Sequence, residues 1–82
     1  MKVHIAFKRF ISDRGVPDYY TIGVYENKDG AIHVVKNNID ETEVEVREIT
    51  IFWVHFTSWV TKDWDSVVLA GIETHTLKST NS

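Results

Sequence analysis

TEVEVREITIFWVHFTSWV, residues 42–60, admits two folds. Its apolar residues Val46, Ile49, Trp53, Phe56 and Val60 fall at spacings of 3, 4, 3 and 4, the stripe of a helix that Thr42 would begin. Taken in steps of two, Val44 and Val46 alternate with Glu43 and Glu45, as in a half-buried strand. Residue type favours the strand. Val44, Val46, Ile49, Thr50, Ile51, Val54, Thr57, Val60 and Thr61 are β-branched, and such side chains lose rotamer freedom in a helix but fit a pleated surface. The stretch is therefore predicted to be extended, with a phase slip at Arg47-Glu48 that is either a bulge or a sign against the strand. A helix over 42–60 is the alternative.

Working outward, Val3, Ile5 and Phe7 alternate with His4, Ala6 and Lys8, which predicts a strand over 2–11. SDRGVPD, residues 12–18, gathers Ser, Asp, Gly and Pro into a loop. Two β-rich runs, Tyr19 to Tyr25 and Ala31 to Lys36, flank a segment ending in Gly30 and predict a hairpin. Gly23 inside the first arm marks a bulge or a close backbone approach. Residues 61–65 form a turn around Trp64, and a last strand covers about 66–76. The expected fold is mainly β, a single small antiparallel domain of about five strands, barrel-like or with its sheet completed in a dimer. If 42–60 is helical, the fold becomes α+β with one helix on a hairpin-rich sheet. The domain is expected to span 1–77, with 78–82 a frayed tail.

At 82 residues the core is small, and without cysteine neither disulfides nor thiolate metal sites support it. The N-terminus alternates polar with apolar residues, unlike a signal peptide, and the run from Ile49 to Val60 is too short and too polar to span a bilayer. The expectation is a soluble, intracellular (cytoplasmic) protein with no membrane partner. Residues 1–36 carry a net +2 and residues 37–82 a net −5, with no basic cluster beyond Lys8-Arg9. Duplex nucleic acid, which needs a phosphate-neutralising stripe, is not an expected partner.

Catalytic signals are weak. His4, His33, His55 and His75 fall one per predicted strand without ligand spacing, which reads as strand histidines with no shared role and no metal. No Gly-x-Ser-x-Gly turn or phosphate-cradling glycine loop occurs. Asp63 and Asp65 read as a solvated turn. No cofactor is expected, and the chain is expected not to be an enzyme.

Two features point to recognition. Glu41, Glu43 and Glu45 would line one strand face, as a contact for a basic partner or as protection of a sheet edge. Five of the ten aromatic residues lie between 49 and 64. A continuous strand there would point Ile51, Trp53 and His55 one way and Phe52, Val54 and Phe56 the other. Phe52 and Phe56 are assigned to the core, and Trp53, Trp59 and Trp64 to contact with a partner, because indole keeps an N–H to satisfy. The expected function is a non-enzymatic protein-interaction module, an inhibitor or regulator, that uses the tryptophan-rich strand and the acidic row against another protein or a second copy. The alternative is a ligand-binding module that stacks sugars or single-stranded bases on exposed aromatics.

Overall fold

The β-branched composition of 42–60 prevails over its helical stripe because the segment is two strands. The computed structural model describes residues 1–39, 43–62 and 66–77. Along the chain run β1 (Lys2–Ile11), β2 (Pro17–Tyr25), α1 (Lys28–Asn37), β3 (Val44–Ile51), β4 (Val54–Thr61) and β5 (Val68–Thr76). The strands form one antiparallel sheet in the order β2-β1-β5-β4-β3. β2 and β3 are its two edges, so the sheet is open and the barrel expectation does not hold. The alternative helix over 42–60 is replaced by β3 and β4, and the proposed stripe is not a face of anything: Val46 and Ile49 are exposed while Val60 is buried. β3 pairs with β4 without a register shift, so there is no bulge at Arg47-Glu48. The predicted tail, 78–82, lies outside the described residues, as does the turn at 63–65.

The one helix lies where a hairpin arm was expected, over Lys28–Asn37. Local chemistry explains it. The Asn27 side chain caps the first turn by accepting from the Asp29 backbone N–H at 2.8 Å. Asp29 in the first turn and Lys36 in the last both complement the helix dipole. Ala31 and Val35, four apart, share the buried face. Ile32, Val34 and Val35 favour strands by propensity, but burial against the sheet outweighs a preference of a few tenths of a kcal/mol per residue. Gly30 sits in the first helical turn instead of closing a hairpin loop.

The core is the layer between α1 and one face of the sheet. Ala6, Ala31, Val35, Trp59, Ala70 and Ile72 are buried together, with Ile22, Tyr25, Ile32, Ile39 and Val44 packed around them. Three alanines let the helix approach closely. Facing follows the pairing: Ala6 opposes Ile72, and Trp59 opposes Ala70, all toward the helix. His4 joins that face beside Thr74, Nδ1 to Oγ1 at 2.8 Å, and both residues are buried. Gly23 fulfils its expectation. The β1–β2 register shifts between Ala6, paired with Gly23, and Phe7, paired with Thr21, so Ile22 is the extra residue of a bulge. A side chain at Gly23 would also meet the Tyr25 hydroxyl at 2.7 Å.

α1 packs on β1, β2 and β5. Among the described residues the opposite face of the sheet carries no helix, and β3 is an open edge.

Candidate functional site

β3 and β4 are joined by only two residues, Phe52 and Trp53, between the paired Ile51 and Val54. A two-residue hairpin loop of type I′ needs positive φ at both positions, which normally selects Asn-Gly. Here φ is 48° at Phe52 and 72° at Trp53. For residues with a β-carbon that conformation costs about 1–2 kcal/mol each. Neither side chain recovers the cost within the chain, since Phe52 is 89% and Trp53 92% exposed. Two large aromatic groups thus stand at the tip of a regular hairpin, held outward by a strained turn. Ile49 and Ile51 add exposed apolar surface behind them on β3.

The turn also separates residues that a continuous strand would have grouped. Phe52, expected in the core, is at the tip, and Phe56 is half-buried on β4. Trp59 is 4% exposed and packs under α1, so its expected contact surface is taken up by the fold. Glu45 lies near the start of β3, seven residues from Phe52, roughly 23 Å at the strand rise. Glu43 precedes β3 and is exposed; Glu41 and Trp64 lie outside the described residues. Trp53 and the acidic residues consequently occupy opposite ends of the hairpin and do not form one patch. Glu45 is itself engaged by Arg47, whose Nε donates to it at 3.0 Å.

Beside the tip, on the helix-side face of β3 and β4, five polar groups converge. Thr50 Oγ1 lies 3.0 Å from His55 Nδ1, and His55 Nε2 lies 3.3 Å from Glu48 Oε1. Lys28 Nζ from the helix start and Thr57 Oγ1 reach the same carboxylate oxygen at 3.5 and 3.4 Å. Hydrogen bonding from His55, helped by the Lys28 charge, holds the Glu48 carboxyl below its ordinary value. The order hydroxyl, imidazole, carboxylate resembles a nucleophilic relay, and sequence spacing gave no hint of it. Its members lie on open, solvated sheet surface, where water screens the charges that a desolvated site would exploit. These contacts link β3 to β4 near the tip and, through Lys28, to α1.

On the helix-free face, Ile5, Phe7, Tyr19, Tyr20, Thr21, Val68 and Glu73 line an open groove of about 430 Å³. Phe7 lies over Gly71, where an added side chain would meet its ring at 2.5 Å. Tyr19 packs edge-on to Phe7, centroids 5.7 Å apart, and its hydroxyl donates to the Val68 carbonyl at 3.3 Å. Tyr19 and Thr21, two apart on β2, share the face of Phe7, whereas the ring of Tyr20 between them packs on Phe10, centroids 5.5 Å apart, so Tyr20 only borders the groove. Among the described residues no group of three or more histidine, cysteine, aspartate or glutamate side chains is placed to hold a metal, and no helix is long and apolar enough to cross a membrane. The four histidines are dispersed: His4 in the core, His33 on α1, His55 in the polar cluster, and His75 beside Glu73 at 3.6 Å.

Comparison with protein-family models, with curated proteins and with solved structures finds no match.

Proposed function

We propose that the chain is a non-enzymatic protein-interaction module whose Phe52-Trp53 tip inserts into an apolar pocket of another protein. The observation that carries this reading is the turn itself. Two aromatic residues in a positive-φ loop, almost fully exposed, are unfavourable in the free chain twice over, by backbone strain and by exposed apolar area. Strain of this kind persists where a contact outside the chain uses it, and tryptophan is prominent among binding hot spots. The acidic residues Glu43 and Glu45, at the far end of β3, belong to a separate part of the surface and enter this reading only as a secondary contact for a basic partner.

Replacing the tip by the sequence that the turn prefers provides the test. F52N/W53G keeps the type I′ geometry and removes both anchors. Proteins retained by the immobilised wild-type chain are to be purified and titrated with both chains, and the variant is expected to bind at least about 30-fold more weakly, as for loss of a hot spot. Equal affinity of the two chains for every retained protein would overturn the reading.

The groove on the helix-free face favours a second reading, a small-ligand module. Phe7 and Tyr19 offer ring surfaces, and the Glu73 carboxylate accepts hydroxyl hydrogen bonds while repelling phosphate. That combination suits a sugar better than single-stranded nucleic acid. Tyrosine ring signals that stay unshifted on titration with mono- and disaccharides at millimolar concentration would remove it.

A further inference from the structure

We infer that the open edge of β3 is a self-pairing surface, on which two copies of this chain join β3 to β3 antiparallel, in one register centred on Val46. The inference uses a surface different from the hairpin tip and does not rest on the tip having a partner.

The argument starts from hydrogen-bond parity. In a two-residue hairpin the closing residues, Ile51 and Val54, exchange hydrogen bonds with each other, and the pattern alternates from there. Ile49, Arg47 and Glu45 therefore bond inward to β4, while Thr50, Glu48, Val46 and Val44 direct their N–H and C=O groups outward. β3 is the outermost strand, so this outward row has no strand beside it. Among the described residues, the charged side chains Glu45, Arg47 and Glu48, of both signs, are all that guards this edge. β3 contains no proline and no bulge and is exposed from Val46 onward, whereas the other edge, β2, begins at Pro17 and is bulged at Ile22.

Charge then selects the register. Two-fold pairing of identical antiparallel strands places one residue opposite its own copy. Centred on Glu45, Arg47 or Glu48, it opposes like charges, which is unfavourable. Centred on Val46, it places Val46 against Val46, with their outward groups bonded to one another. Glu45 then faces Arg47 of the second copy, twice over by symmetry. Arg47 already holds Glu45 of its own strand at 3.0 Å, on the same face of the sheet. Pairing would thus build a four-charge network of alternating sign from two existing ion pairs. It would also cover Val46, which is 55% exposed in the single chain. α1 packs on β1, β2 and β5 and reaches β3 only through the Lys28–Glu48 contact on the helix-side face. A register centred on Ile49 is free of like-charge pairs too, but it opposes Arg47 to Ile51 and forms no ion pair.

Sedimentation equilibrium or light scattering over a concentration series, from micromolar to about millimolar, tests the inference. The expected result is a mass that doubles from 9.5 kDa. V46P removes the outward N–H without touching a β3–β4 bond and is expected to remain monomeric. Should that variant misfold, R47E addresses the same register from the surface: it opposes glutamates across the interface and is expected to weaken association at least tenfold. The charge swap E45R/R47E is expected to restore association, and F52N/W53G to associate as wild type does. A wild-type chain that stays monomeric throughout, or dimers indifferent to both V46P and R47E, would overturn the inference. Dimers that R47E abolishes but E45R/R47E fails to restore would overturn the Val46 register.

Discussion

At the scale of single residues, Phe52 with Trp53, Gly71 and His4 each give a measurable consequence. F52N/W53G relieves two strained φ values at exposed positions, so it is expected to raise stability by about 1–2 kcal/mol in denaturant titration while removing the tip's binding capacity. Stability gained where function is lost is the signature of a strained functional site. Gly71 has the reverse character. A side chain there would meet the Phe7 ring at 2.5 Å and the Thr57 carbonyl at 2.8 Å, and that carbonyl belongs to the neighbouring strand. G71A is expected to cost about 1–3 kcal/mol, and F7L in the same chain to recover only part of it, because the backbone oxygen stays. His4 gives a pH dependence. Burial, with Lys28 and Lys2 adding repulsion, lowers its folded value below the ordinary 6.5. The unfolded chain then takes up the proton first, so stability is intact above about pH 6.5 and falls as pH drops below it. Urea midpoints at pH 7.5 and 5.5 are expected to differ in that sense, and H4Q to reduce the difference.

At the scale of elements, the strands were largely legible and the helix was not. β1 follows its alternation from Lys2 to Ile11, and β5 from Val68 to Thr76 was placed within two residues. α1 was mistaken for a strand because Ile32, Val34 and Val35 carry strand propensity and Gly30 suggested a turn. The overlooked signal was Asn27 two residues before Asp29, a cap followed by an acidic first turn, with Ala31 and Val35 spaced for one face. N27A is expected to destabilise the protein by about 1 kcal/mol, measured as a shift of the thermal midpoint. The Phe52-Trp53 turn had no sequence signal at all, since neither residue belongs to the turn vocabulary, and a run of β-branched and aromatic residues on both sides read as uninterrupted. The same omission moved Phe52 from the surface to the expected core.

At the scale of the whole molecule, the sheet is half sandwiched. One face is closed by a helix over a core built around three alanines, and the other remains open around Phe7, Tyr19 and Glu73. If two copies pair through β3 about Val46, their tips point in opposite directions. Phe52 lies six residues from Val46, so the tips stand roughly 40 Å apart along the strands, against roughly 20 Å for a register centred on Ile49. The chain has no cysteine, so a single spin label at F52C reports that distance directly. A distribution centred near 40 Å is expected, broadened by the label. A dimer with outward tips would engage two partner molecules, or two sites on one assembly, with avidity set by that spacing.

By itself the amino-acid order determined what depends on neighbours a few residues away. Alternation gave β1, β-branched content gave extended structure over most of 44–61, and Gly23 marked its bulge. Charge balance argued against a phosphate-binding groove. Tertiary structure alone decided which tryptophan is buried, because Trp59 and Trp53 have the same chemistry and differ only in place, Trp53 in the two-residue turn and Trp59 on β4 beneath α1. It decided between the two forms that residues 28–37 allow, because a segment with a helix cap but strand-favouring side chains takes the helical form that buries Ala31 and Val35 against the sheet. Local preferences amount to tenths of a kcal/mol per residue, whereas covering a small core amounts to several, and where the two disagreed the core prevailed.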